Sequence, residues 1–451
     1  MTPDDGRMSA NTASLDKSVK PQAEIAPSIE GARIWFDVED LLRHFDSAAQ
    51  PTGIPRVCLD FLKAAHELYP SRIRLCRHIR HSGRMEAVSF AQLLSACSSV
   101  AEPARDEPRT MVLLQKMRRA LRYIYRGGRR WLGDRLSPHQ QCAFRPGDIL
   151  ACLGSPWRNP YYAMQVRAAK ASFGLRFVLF LHDILPFTHP QFVDESFLRI
   201  FKPWLSQTLP LADLVLTSSL YNCRAIDRLC KASGWEAVPI RTTALGCGIA
   251  DTRSASERPP WPEPYILFVS TLEIRKNHRL MVIVWRRLIE RHGAAAVPAL
   301  VFAGRLGWRV DDVVRELRES RGLGGKIFLA RALSDEVLVR AYRGALFTVF
   351  PSFCEGWGLP VAESLSCGTP CIASDTTSVP EVGGDLVDYI NPLDEEAALA
   401  MVERALFDKA YLAERRRQIA ECFQPVKWAT CVSSFLAHLD EILGAAPRQS
   451  P

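Results

Sequence analysis

The chain has 451 residues, 47% hydrophobic and 24% charged, with 57 Lys and Arg against 49 Asp and Glu. That balance excludes a disordered polymer, a collagen and a coiled coil, and the length predicts two or three domains with ample chain for a core. The net charge of +8 is unevenly placed: seven cations and no acid lie between Met111 and Gly133, and the remainder is nearly neutral. A general nucleic-acid binder is therefore not expected.

The first thirty residues are polar and rich in Pro, Ser and Ala, without the apolar run of a signal peptide, and read as a disordered tail (1–30). Strands are then predicted over 33–38, 72–79, 148–154, 176–183 and 212–219, with amphipathic helical stretches such as 53–68 and 195–209 between them. The rhythm fails over 81–146, which reads as an insertion carrying the basic segment. Residues 251–264, with four prolines and two serines, read as a linker. A second series follows, with strands over 265–270, 299–304, 326–330, 346–351 and 370–374, helices over 278–292 and 335–343, and a terminal helix over 426–443. Apolar strands alternating with helices signal parallel sheets covered on both faces. Two series predict two doubly wound domains, 31–250 and 265–451.

Thirteen scattered cysteines with no C-x-x-C pair predict a reduced, intracellular protein, and no apolar run reaches membrane-spanning length. Neither half carries a dinucleotide fingerprint or a phosphate-cradling P-loop; no Asp-x-Asp and no zinc spacing occur, so no metal is expected.

The most informative stretch is Phe350-Pro-Ser-Phe-Cys-Glu-Gly-Trp-Gly-Leu-Pro-Val-Ala-Glu363. A predicted strand ends at Pro351, a loop holding Gly356 and Gly358 follows, and Pro360 opens a helix that Gly368 and Pro370 end. The glycines let backbone N–H groups approach a ligand, and the helix N-terminus suits a phosphate. Glu355 on the loop and Glu363 about one turn into the helix could face one crevice. A lone glutamate pair is more often a helix-dipole acid; the glycine turn and proline start around this pair favour a binding role.

The second stretch is Phe268-Val-Ser-Thr-Leu-Glu-Ile-Arg-Lys-Asn277, with Ser270 and Thr271 at a strand end and Asn277 the expected helix cap. Arg275 and Lys276 just before a helix start are unfavourable for the helix and make sense opposite a diphosphate.

Together these segments resemble the donor-site motifs of family 4 glycosyltransferases, retaining enzymes of the GT-B fold. The matching residues are Arg275-Lys-Asn277, Glu355-Gly-Trp-Gly-Leu-Pro-Val-Ala-Glu363, Cys367-Gly-Thr-Pro370 and Ser378-Val-Pro-Glu-Val382. Trp357 stands where the family usually has Phe, and Ala330 where a glycine is common. In the first half, Pro51-Thr-Gly-Ile-Pro-Arg56 resembles the family's glycine loop, and Leu181-His-Asp-Ile-Leu-Pro186 its His-Asp segment. Thr217-Ser-Ser219 ends a strand facing the crevice, on the acceptor side.

The resemblance implies an α/β protein of GT-B type, two Rossmann-like doubly wound parallel-sheet domains facing each other across a cleft. The first would bind the acceptor and the second a GDP- or UDP-linked sugar donor. It implies Glu355, His182, Lys276 and Arg275 as catalytic residues. Gly53, Arg56, Ser270, Thr271, Gly356, Trp357, Gly358, Leu359 and Glu363 would contact the donor. Front-face attack would transfer a hexose, mannose from GDP-mannose being the first candidate, to a glycan or lipid-linked glycan. The basic segment 111–133, with interfacial Tyr123, Tyr125 and Trp131, suits an anionic membrane surface and a peripheral cytoplasmic location. The rival readings are another GT-B enzyme such as a sugar phosphorylase, and a non-catalytic carbohydrate-binding protein.

Overall fold

The computed structural model describes residues 32–47, 51–79, 84–98, 141–247, 261–262, 264–331 and 333–443. The expected tail, most of the expected linker and the basic segment 111–133 lie outside the described residues.

Two sheets organise the described chain. The first contains β1 (Ile34–Asp37), β2 (Ile73–His78), β3 (Met85–Val88), β4 (Ile149–Cys152), β5 (Arg176–Phe180), β6 (Leu214–Thr217) and β7 (Ile240–Thr242), in the order β3-β2-β1-β4-β5-β6-β7. The second contains β8 (Tyr265–Val269), β9 (Ala299–Ala303), β10 (Ile327–Ala330), β11 (Thr348–Phe350), β12 (Cys371–Ser374) and β13 (Asp388–Ile390), in the order β10-β9-β8-β11-β12-β13. Both orders reverse direction once, between β1 and β4 and between β8 and β11, which is the doubly wound pattern.

The parallel-sheet expectation needs one correction. β3 lies inside the span read as an insertion, yet it pairs antiparallel with β2, His78 opposite Met85 and Leu75 opposite Val88. The connection between them is too short for a crossover, and only an antiparallel neighbour can be reached that way.

Strand alternation explains why both faces of each sheet are covered. In the first sheet Ile34, Phe36, Ile149, Ala151, Val178 and Phe180 face one core, while Trp35, Leu150, Cys152, Phe177 and Leu179 face another. In the second, Ile266, Phe268, Leu300 and Phe302 face one core and Tyr265, Leu267, Ala299 and Val301 the opposite one.

The terminal helix, Trp428–Leu443, departs from the expectation that places it with the second domain. Its buried stripe of Cys431, Val432, Phe435, Leu436 and Leu439 joins the core of the first sheet. The Phe435 ring lies 5.8 Å from that of Phe36 and 5.1 Å from that of Phe61, on the helix Ile54–Leu68. The helical period of the apolar residues is visible in sequence, but not which core receives them. All thirteen cysteines are free thiols, and no described helix is long and apolar enough to cross a membrane.

Candidate active site

His182 and the residues singled out in the second half come from loops at the carboxyl ends of strands, where open α/β sheets bind ligands, or from the helix that follows, whereas Gly53 and Arg56 stand at the start of the helix Ile54–Leu68. β8 runs into Ser270 and Thr271, then into a 3-10 turn, Ile274–Lys276. β11 runs into the loop holding Glu355, Gly356, Trp357 and Gly358, and the helix Leu359–Ser366 follows. These two strands are neighbours at the reversal of the second sheet, so the two loops meet.

Their meeting point is a buried cluster of two cations and two carboxylates. The Lys276 ammonium lies 2.5 Å from Glu355 Oε1, and Arg275 Nη1 lies 2.6 Å from Glu355 Oε2. Arg275 Nη2 also pairs with Glu273 Oε1 at 2.8 Å, and its Nη1 donates to the Cys354 carbonyl at 2.7 Å. The ammonium sits 4.9 Å from the centre of the Phe350 ring, a cation–π contact. Burial alone would push the Glu355 carboxyl up; Arg275 and Lys276 outweigh it and hold the group at about 2. Burial, aided by Arg275, lowers Lys276, whereas Glu355 and Glu273 raise Arg275 against its own burial. The loop is pinned from behind: the Glu355 amide donates to Thr377 Oγ1 at 2.9 Å, and Ser378 Oγ donates to the carbonyls of Glu355 and Trp357.

The helix after this turn begins differently from expectation. Asn277 does not cap His278–His292 with its side chain; it adopts a left-handed conformation, φ 58°, and its Nδ2 donates to the Pro392 carbonyl at 2.9 Å. His278 stacks on Phe268 with ring centres 4.2 Å apart, and its Nε2 lies 3.2 Å from Ser270 Oγ. Burial, with Lys276 beside it, pushes its imidazole down to about 3.

Glu363 does not share the cluster of Glu355. Its Oε1 lies 3.1 Å from Arg56 Nη1, and its Oε2 accepts from the Tyr342 hydroxyl at 2.8 Å. Arg56 stands in the first turn of Ile54–Leu68, after Gly53 at φ 60°, and also approaches Asp60. Burial pushes the Glu363 carboxyl up despite Arg56. A small, partly open pocket adjoins Arg56, Asp60, Leu359, Glu363 and Trp428.

His182 follows β5. Its Nε2 lies 2.8 Å from the Leu153 carbonyl, which can only accept, so Nε2 carries the proton and Nδ1 is left as an acceptor. Burial lowers this imidazole, which favours the neutral form. Asp183 and the His182 carbonyl lie against Gly356: a Cβ there would come within 2.6 Å of that carbonyl and 2.8 Å of Asp183 Cβ. Gly356 is thus needed for close approach, whereas Gly358 is needed for its φ of 138°. Trp357 packs with Leu359 against the core of the first sheet.

Further contacts join the two halves around this point. The Glu381 carboxylate accepts the amides of Leu220 and Tyr221 at 2.7 and 2.8 Å. Phe192 and Phe353 stack with centroids 4.9 Å apart, Trp308 Nε1 donates to the Phe192 carbonyl at 3.1 Å, and Arg305 contacts Thr52. Sequence reading missed Glu273, Tyr342, Thr377 and Asn222 as participants. Glu273 was detectable as a carboxylate two residues before the cationic pair; the others reach the site from helices and turns without a local signature.

A family model described as glycosyl transferases group 1 matches residues 251–422. The chain is 34% identical over 269 residues to O-antigen chain mannosyltransferase B of Escherichia coli, covering 57% of this chain and 68% of that protein. It is 26% identical over 266 residues to the serotype-specific mannosyltransferase WbdA of the same organism, covering 55% of this chain but only 31% of that protein. Among solved structures, Anabaena Alr3699/HepE, crystallised with UDP and glucose, superposes with a TM-score of 0.57 at 15% identity, over 91% of this chain and all of the other. A trehalose-phosphate synthase from Burkholderia xenovorans superposes with a TM-score of 0.53 at 18% identity, over 69% and 75% of the two chains. With the motif loops at the carboxyl ends of β8 and β11 and this relationship to known transferases, the chain belongs to the group 1 glycosyltransferases and has their GT-B fold.

Proposed function

We propose that the protein transfers mannose, with retention of configuration, from a nucleoside-diphosphate mannose to a growing glycan in surface polysaccharide synthesis. The observation that carries the reading is the Glu355 carboxylate held between Arg275 and Lys276 beside the Gly356–Gly358 turn. The names of the relatives supply the sugar and the polysaccharide context.

In this reading the bond from the anomeric carbon to the leaving phosphate oxygen breaks while the acceptor oxygen bonds to the same face. The acceptor's hydroxyl proton passes to that phosphate oxygen. Charge builds on the leaving diphosphate, and Arg275, Lys276 and the backbone N–H groups of Gly358 and Leu359 stabilise it. His182 offers Nδ1 to a sugar hydroxyl, because Nε2 is committed to Leu153. Glu355, held ionised, orients the two cations and faces the sugar.

GDP-mannose is the donor to test first, against UDP-glucose, UDP-galactose and UDP-N-acetylglucosamine. The expected result is that GDP-mannose alone raises the melting temperature and supports transfer to a mannose-terminated glycan. A shift and turnover confined to a UDP-sugar would overturn the mannosyl assignment. Phosphate-dependent breakdown of an oligosaccharide would move the protein to the phosphorylases. Peripheral membrane binding rests on the composition of 111–133 and is tested by co-sedimentation with phosphatidylglycerol vesicles; a deletion of that segment that pellets equally well would reject it.

A further inference from the structure

The donor loop and the His182 strand end belong to different sheets, yet one side chain holds both. Asn222 Nδ2 lies 2.8 Å from the His182 carbonyl and 2.7 Å from the Gly356 carbonyl. An amide nitrogen carries two protons, so each carbonyl receives one. The same Gly356 carbonyl is also reached by Ser218 Oγ at 3.0 Å and Ser219 Oγ at 3.2 Å. Ser219 Oγ in turn accepts the Asn222 amide, capping the helix Leu220–Ser233 on which Asn222 sits. Ser218, Ser219 and Asn222 are each at most 3% exposed.

We infer that Asn222 is a positioning residue for sugar transfer, setting the donor loop against His182 through paired hydrogen bonds to the carbonyls of His182 and Gly356, with Ser218 and Ser219 completing the hold on Gly356. This rests on the proposed roles of Glu355 and His182. Without the amide, two carbonyl oxygens would converge on one buried point with no shared donor. Their dipoles repel, the His182 carbonyl would lose this donor, and Gly356 would keep only its two serines, unless the loop withdrew toward water. Gly356 is one residue from Glu355, so withdrawal shifts the carboxylate and its two cations away from His182. The cluster itself is made within the second sheet's loops and survives the separation.

The consequence is a split between binding and turnover. Asn222→Asp keeps the shape and removes both donors. It is expected to lower kcat about 30-fold, the scale of one unmet buried carbonyl, at His182, beside a weakened hold on Gly356. Donor KM and GDP affinity should stay within about threefold, and melting should keep the same cooperative transition. Ser218→Ala removes one donor to Gly356 without touching the helix cap, and should lower kcat about threefold with KM unchanged. Glu355→Gln is assayed alongside. If Asn222→Asp turns over normally while Glu355→Gln is inactive, the coupling is wrong and the donor-loop reading stands. If both turn over normally, the donor-loop reading fails. If Asn222→Asp does not fold, Ser218→Ala decides: wild-type kcat in that variant overturns the proposal.

Discussion

Replacing Glu355 by Gln tests the charge cluster most directly. The carboxylate is buried, bridges Lys276 at 2.5 Å and Arg275 at 2.6 Å, and is held at about 2 rather than near the ordinary 4.5. Lowering a carboxyl by that amount on folding contributes about 3 kcal/mol. The sign follows from the lowered value: the contribution is complete above pH 4.5 and is lost as pH falls toward 2. Gln keeps the shape and removes the charge. At pH 7 the variant should therefore unfold about 3 kcal/mol more easily, with the difference shrinking between pH 4.5 and pH 2. Urea unfolding of both proteins across that range measures it. Transfer should fall about a hundredfold or more, since the cations lose the group that orients them. Equal stability at pH 7 together with near-normal transfer would refute the reasoning.

Other substitutions separate backbone, core and titration effects. Gly358→Ala meets no close side chain, the nearest being Val382 at 3.5 Å, but forces a Cβ onto a φ of 138°; it should cost about 1–3 kcal/mol and slow transfer, read by urea unfolding and initial rates. Phe435→Ala opens a hole between Phe36 and Phe61 and should cost about 3–5 kcal/mol, seen as a lower melting temperature of the first domain. Burial keeps His182 neutral, so kcat/KM should show no histidine-like loss as pH falls from 8 to 6.5; a limb in that range that disappears in His182→Asn would show the charged form to be in use.

The strands central to each sheet were legible because they are apolar on both faces, as buried parallel strands must be. The strands missed were β3, β7 and β13, each at or next to a sheet edge and only three or four residues long. Edge strands need fewer apolar residues, so their sequence resembles loop. The two motif loops were legible because glycines, a helix-starting proline and paired charges lie within a few residues of one another. What was not legible depends on a fold already made. Both glutamates were placed in one crevice from their spacing, but Arg56 and Tyr342 draw Glu363 away from the Glu355 cluster. Those partners lie 307 and 21 residues away, as the numbering shows. Asn222 reads as an ordinary helix residue until two distant carbonyls are brought to it.

The same cluster raises a question of charge that also has a measurable answer. Arg275 and Lys276 are balanced by Glu273 and Glu355, so the four groups are neutral together. Arg56 is committed to Glu363 and Asp60. A diphosphate arriving here meets no surplus cation in this cluster, and Glu355 repels it. Neutralising Glu355 should therefore bind the product nucleotide more tightly while slowing the reaction. A gain of about tenfold in GDP affinity corresponds to about 1.4 kcal/mol, a modest share of one buried charge pair. Such opposite movement is expected if Glu355 acts on the transition state rather than on ground-state binding. Calorimetry of GDP with Glu355→Gln distinguishes the cases. Tighter GDP binding with slower transfer supports the cluster as a device that orients cations and resists product retention; weaker GDP binding in parallel with slower transfer would mean that Glu355 merely holds the loop in shape.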